Sequence, residues 1–226
     1  SGGEAAISLL PIGETLEGDL SGYIQTNLMA MTDGHIFFDV AELKGGRHPC
    51  VSFGLSVSRV GNQTKSKLER AINFSISQAI SNARKAEELG RFGVELTPQT
   101  MEYIKKSAML DSIFNQDIEA IYPKNFQIIV LGLFFANAWV AKAGLEIEAD
   151  IAKLYLEYLG KNLDRFVLEI EKCQDPKALN ALILANTVYF AKLLNISKTP
   201  LVQNGVGLGR SNEPKIVNQS LGGAGQ

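Results

Sequence analysis

Arg59 stands between two glycines in Gly54-Leu55-Ser56-Val57-Ser58-Arg59-Val60-Gly61, a short apolar and hydroxyl run. Glycine accepts backbone angles that other residues resist, so the pair lets the chain turn sharply on either side of the arginine. A guanidinium presented on such a turn can be aimed, and its planar fork of donors suits a phosphate better than an ammonium does. The chemistry suggested is stabilisation of phosphoryl charge. Ser56 sits in the same run, where its hydroxyl could share that chemistry or close the turn by bonding the backbone. Taken alone, an arginine is usually an ordinary surface charge, so the surrounding sequence has to decide.

The elements that must position this arginine fall into two kinds. Upstream, Ile7-Ser8-Leu9-Leu10-Pro11-Ile12 reads as a short buried strand that Pro11 confines to an edge or an end. Glu14 to Asp19 is an acidic, glycine-punctuated loop exposed to solvent. Tyr23 to Met31 fits a short helix or an irregular strand, and Thr32-Asp33-Gly34 is a turn before a strand over His35-Ile36-Phe37-Phe38. A brief helical turn over Ala41 to Gly46 leads to Pro49-Cys50-Val51-Ser52-Phe53, the strand that feeds the Arg59 turn.

From about Lys65 the pattern becomes helical, with Leu68, Ile72, Ile76 and Ile80 at every fourth position. Gly90 to Gly93 interrupts it, and Thr97-Pro98 opens the next helix as N-cap and first-turn proline. Ile128 to Val140 predicts a buried bundle helix, being shorter than a membrane span and broken by Asn137. Ile151 through Ile170 predicts one long amphipathic helix, and Asp175-Pro176 caps the last one. Beyond Asn195, Gly205-Val206-Gly207-Leu208-Gly209 lacks the flanking elements of a phosphate loop, and with the Gly222-Gly223-Ala224-Gly225 ending it reads as a disordered tail.

Composition narrows the field further. The 226 residues are 46% hydrophobic, enough for one large or two small domains. A net charge of −2 without a basic stripe implies neither nucleic acid nor an anionic membrane surface as partner. Cys50 and Cys173 fit buried thiols in a reducing compartment, and His35 and His48 alone make no zinc cluster. No Gly-x-x-x-x-Gly-Lys-Ser/Thr occurs, so the chain carries no phosphate cradle with its magnesium ligand.

Leu9-Leu10-Pro11-Ile12, Glu14-Thr15, Glu17-Gly18-Asp19, Gly22-Tyr23-Ile24, Thr26-Asn27 and Thr32-Asp33-Gly34 precede the arginine run in fixed order, and Gln63-Thr64-Lys65, Phe92-Gly93 and Glu95-Leu96 follow it. This succession resembles the alpha subunit of the F-type ATP synthase, strongly over residues 7–65, less to about 100 and faintly beyond. The resemblance implies a mixed α/β, then all-α chain. An incomplete RecA-like (P-loop NTPase) sheet would occupy residues 1–61, a helical C-terminal domain 62–195, and a Gly-rich disordered tail 196–226. The Ser1-Gly2-Gly3-Glu4 start, without methionine, is then expected to lie inside a longer chain whose carboxy-terminal portion this is.

The resemblance also assigns roles. Arg59 becomes an arginine finger supplied in trans to a beta subunit's catalytic site, Ser56 a position required for activity, and Ser21 a residue of the segment facing that site. Gln116 matches a glutamine near the bound adenine, although the next family glutamine falls on Ile118. ATP or ADP with Mg2+ is implied for the intact subunit. The implied partners are beta subunits in an alternating hexamer, the central-stalk gamma subunit and the peripheral-stalk delta subunit. The implied location is the cytoplasmic face of the membrane, peripheral and without insertion. The sequence departs from the family at His48, where an arginine is usual, at Gln25, where a proline is usual, and by two missing residues between Gly61 and Gln63. Those departures keep two other readings open: a divergent paralogue serving as a scaffold without catalysis, and a related hexameric motor ATPase. Neither the coupling ion nor the direction of operation is encoded here.

Overall fold

A computed structural model describes residues 6–16, 18–91 and 97–196. The described chain is mostly helical, with one small two-stranded sheet. Before the Arg59 turn come helix α1 (Tyr23–Met31), strand β1 (Gly34–His35) and helix α2 (Val40–Lys44), and the turn itself contains β2 (Val57–Ser58). The strands are antiparallel, Gly34 opposite Ser58 and His35 opposite Val57, and a single bridge joins Phe38 to Val51.

The expected strand content is therefore reduced. Residues 7–12 carry no regular structure, and Ile7, Leu9, Leu10 and Ile12 are each more than 80% exposed. Of 35–38 and 49–53 only His35 and the Phe38–Val51 bridge are paired. A strand needs neighbours for its backbone groups and cover for its apolar faces; residues 7–12 find neither among the described residues, and 49–53 pairs only locally with 37–39. Tyr23 to Met31 resolves as helix, and the brief helical turn lies where expected, with Asp39 Oδ1 accepting from Ala41 N.

From Lys67 onward the helices form one core. Helix α3 (Lys67–Arg91) starts with a reciprocal cap: Ser66 Oγ accepts from Glu69 N, and Glu69 Oε2 accepts from Ser66 N at 2.7 Å. Thr97 and Pro98 open α4 (Pro98–Phe114) as the sequence predicts. Helix α5 (Lys124–Phe135) is buried on nearly every side and is the hub of the core. It ends earlier than its apolar stretch because Asn137 adopts φ 58°, turning the chain so that Trp139 is fully buried. Asp150 receives both the Trp139 indole N–H at 3.0 Å and the Lys142 ammonium at 2.7 Å. Lys142 also donates to Leu194 O, which fastens the end of the bundle to its middle.

The single long helix expected over 151–170 is two: α6 (Leu145–Leu159) and α7 (Asp164–Lys172). Gly160 closes α6 on Leu156 O and Tyr158 O, and Lys161 turns left-handed at φ 60°, which lets buried Leu163 re-enter the core. The last helix is likewise divided at Asn186 into α8 (Pro176–Ala185) and α9 (Thr187–Leu193), because the Asn186 amide side chain bonds Leu182 O. Gly132 of α5 lies where an added Cβ would strike Ile183 and crowd Leu179, so glycine permits the close approach of α8. Cys50 and Cys173 are unpaired thiols, both half-buried rather than buried. No helix among the described residues is long and apolar enough to cross a membrane. The Gly-rich tail and the Phe92-Gly93 and Glu95-Leu96 words lie outside the described residues, apart from Ile196.

The α3 cap gives a pH-dependent term. A hydrogen bond from Lys124, first, and the Ser66 N–H hold the Glu69 carboxyl down to about 2 from 4.5. A carboxyl depressed by folding stabilises above its unfolded value and loses that contribution as pH falls from about 4.5 towards 2. Glu69→Gln should therefore be less stable than wild type at pH 7, and the gap should close over that acid range in urea titrations. Lys124 is 67% exposed, so added salt should shrink the gap further.

Candidate functional site

The Arg59 turn rests on the helices through one seam. Arg47 donates to Glu42 of α2 at 3.1 Å and lies 3.4 Å from Asp111 of α4, with its side chain only 12% exposed. Its guanidinium stacks over Phe53 at 4.8 Å and Phe114 at 5.9 Å, and those rings meet each other at 4.8 Å. Next to it, His48 N donates to Asn115 Oδ1 and His48 O accepts from Gln116 N, while Asn115 Nδ2 donates to Glu148 of α6. Burial pushes the Asp111 carboxyl upward, and Arg47 opposes that shift.

Beyond the seam the chain is pinned residue by residue. Cys50 O accepts from Asp39 N, and Ser52 N donates to Phe37 O. Ser56 closes a turn: its N and Oγ both donate to Ser52 O, at 3.0 and 2.7 Å, and its Oγ accepts from Phe37 N at 3.0 Å. His35 Nε2 lies 2.8 Å from Leu55 O, a carbonyl, and so donates to it. Gly61 has the left-handed φ the turn was expected to need, at 59°. Gly54 does not; a Cβ there would lie 2.5 Å from Arg84 Nη1 of α3, the far end of a flexible side chain that can give way. The connection into α3 is made by turns from Gln63 N to Val60 O and from Lys65 N to Asn62 O.

Arg59 is exposed at the tip. Its backbone N donates to Asp33 O at 2.7 Å, Nη1 donates to Ala30 O and Nη2 to Met29 O, both at 3.0 Å. The guanidinium therefore lies across the carboxyl end of α1, whose last turn holds no basic residue of its own. Ser21 lies just before α1, where its N–H donates to Asp19 Oδ1 at 2.8 Å; hydrogen bonds from Ser21 lower the Asp19 carboxyl.

The geometry joins Arg59, Ser56 and α1 in one unit. Gln116 stands apart from that unit at the seam, where its backbone meets His48. A cleft of about 440 Å3 opens beside it, lined by Glu42, Arg47, Asp111, Asn115 and Glu148 among others, but not by Gln116. Three carboxylates around one guanidinium make this cleft a poor host for phosphate. Sequence reasoning singled out His48 and passed over Arg47 and Arg84, which carry no motif signature. Phe53 and Phe114, far apart in sequence, meet only once the helices are placed.

An ATP synthase subunit alpha from Dictyoglomus turgidum is 32% identical over 158 residues, covering 70% of this chain. The chain is a sequence relative of ATP synthase alpha subunits. Another, from Neorickettsia sennetsu, is 34% identical over 60% of the chain, and one from Leuconostoc citreum is 27% identical over 84%. The match spans about a third of these alpha subunits' own length: 31%, 26% and 38% respectively. No protein-family model matches the chain.

The Ser56 hydroxyl has a structural duty that can be measured. Ser56→Ala strands the Phe37 N–H and removes a bond to Ser52 O, and should lower stability by about 1–2 kcal/mol in urea unfolding. Ser56→Thr keeps the hydroxyl and should recover most of the loss.

Proposed function

We propose that the chain is the carboxy-terminal portion of an alpha subunit of a rotary, ion-translocating ATP synthase, and that it supplies Arg59 as an arginine finger to a neighbouring beta subunit's catalytic site. The observation that carries this reading is Arg59 itself: an exposed guanidinium on a turn pinned along its length, in a chain whose curated relatives are ATP synthase alpha subunits. A finger must be both aimed and accessible, and charge developing on a transferring phosphoryl group needs such a partner.

Residues 1–61 are read as the end of a RecA-like nucleotide-binding domain, 62–195 as the helical C-terminal domain and 196–226 as its tail. The exposed apolar side chains of Ile7, Leu9, Leu10 and Ile12 support the first assignment, since they have the character of strand residues lacking neighbours. Among the described residues there is no group of three or more side chains suited to hold a metal ion. In this reading ATP or ADP with Mg2+ belongs to the intact subunit, and the contribution of this stretch is the guanidinium. Ser56 acts by holding the turn, and Ser21 by shaping the approach to α1. Gln116 is assigned to the neighbourhood of the adenine only by its match to the family glutamine. Beta subunits in an alternating hexamer, the gamma stalk and the delta subunit are the partners, with the complex peripheral on the cytoplasmic face of its membrane.

A second reading, an alpha-like scaffold without catalysis, is favoured by the short connection from Gly61 to Gln63, which alters where the Arg59 turn meets α3. One experiment separates the two. In the assembled alpha–beta complex, Arg59→Ala should slow ATP turnover by about 10³-fold, and Arg59→Lys should recover little, because an ammonium lacks the fork. Nucleotide affinity should change far less. A variant complex that sediments normally and turns over ATP within a few-fold of wild type would displace the finger reading in favour of the scaffold.

A further inference from the structure

Helix α1 buries none of its residues; Tyr23, Ile24 and Met31 are 83%, 66% and 81% exposed. An isolated nine-residue helix is unstable in water, so something other than core packing must hold it. Local side-chain bonds contribute: Thr26 Oγ1 to Gly22 O and Thr32 Oγ1 to Leu28 O. The longest-range tie is Arg59, whose Nη1 and Nη2 donate to successive carbonyls, Ala30 O and Met29 O, from 29 and 30 residues away. These two carbonyls belong to the last turn of a helix, where no intrahelical N–H reaches them and the helix dipole is negative. A guanidinium is the group such an end prefers.

Donor counting gives the consequence. An arginine has five N–H donors, and the two carbonyls use one on each terminal nitrogen. Three remain among the described residues, including Nε–H and one on each terminal nitrogen. A bidentate contact with a phosphoryl group needs two of these on one edge. Holding the guanidinium on α1 therefore fixes its plane and leaves three N–H donors for an anion. A lysine in the same place would satisfy the two carbonyls with two of its three protons and keep only one.

We propose that α1 is the positioning element of Arg59: the carbonyls of Met29 and Ala30 orient the guanidinium plane and present its remaining N–H donors to phosphoryl oxygens. This rests on the finger reading for its function, but the positioning itself can be tested without it. Ala30 is exposed, so Ala30→Gly lowers the helical preference of the last turn without removing a packing contact. In the chain alone, 15N NMR of the arginine side chains should show hindered rotation about the Cζ–Nη bonds of Arg59 and averaged signals for exposed Arg70. Ala30→Gly should release the Arg59 rotation, and Ala30→Leu, a good helix former, should retain it. In the assembled alpha–beta complex Ala30→Gly should lower kcat about fivefold with KM nearly constant, matching the Ala-to-Gly helix difference.

The proposal is overturned if Arg59 rotates as freely as Arg70 in the wild-type chain. It is overturned equally if neither Ala30→Gly nor the stronger Ala30→Pro releases the guanidinium, or if release leaves kcat unchanged while Arg59→Ala abolishes turnover. If Arg59→Ala itself leaves turnover intact, the finger reading fails, and the NMR comparison still decides whether α1 holds the guanidinium.

Discussion

The Arg59 turn has almost no sheet to stand on, and its position depends on the seam that Arg47 makes with the helices. Two residue pairs and one bridge cannot hold some fifty residues in place. Arg47 compensates by using one guanidinium in two ways: its edge meets Glu42 and approaches Asp111, and its face covers Phe53 and Phe114. A lysine could form one ion pair but lacks the planar face that covers the two rings. The neighbouring backbone bonds of His48 with Asn115 and Gln116 fix the register of this contact. Among the described residues Arg47 Nε is buried without a hydrogen-bond partner, which is the cost of placing the charge against two aromatic rings.

Everything downstream of the seam serves direction rather than strength. Ser52 and Ser56 close a turn, His35 ties Leu55, Arg84 lies over Gly54, and Asp33 receives the Arg59 N–H. None of these contacts buries much apolar surface. The bundle supplies that, around α5 and the Trp139–Asp150–Lys142 cluster. The molecule thus divides its labour between a packed helical body and a thin, hydrogen-bonded presentation of one arginine.

Much of this was legible in the sequence where short-range rules apply. The caps at Asp175 and Thr97, the α2 turn, the burial of most of the Ile128–Val140 stretch and the turn at Gly61 follow from residue type and spacing. The breaks at Gly160 and Asn186 did not show, because the apolar period continues across both and only backbone geometry reveals them. Residues 7–12 form no strand, since strand pattern specifies a partner that the described residues do not offer them, and 49–53 pairs only through the Phe38–Val51 bridge and the bonds flanking it. At the site, Arg59 and the turn-closing option for Ser56 were readable. The docking of Arg59 on α1 and the contacts of Arg47 and Arg84 were not, because each joins residues that only the tertiary fold brings together.

Amide hydrogen exchange on Arg47→Leu tests the central claim, that the helical body positions the Arg59 turn through Arg47. Leucine keeps apolar contact with the rings and removes the fork of donors. The amides of Ser52, Ser56 and Arg59, each bonded in the turn, should lose protection by about ten- to a hundred-fold, while those of α5 keep theirs. Unchanged protection in the turn, or an equal loss throughout α5, would contradict it.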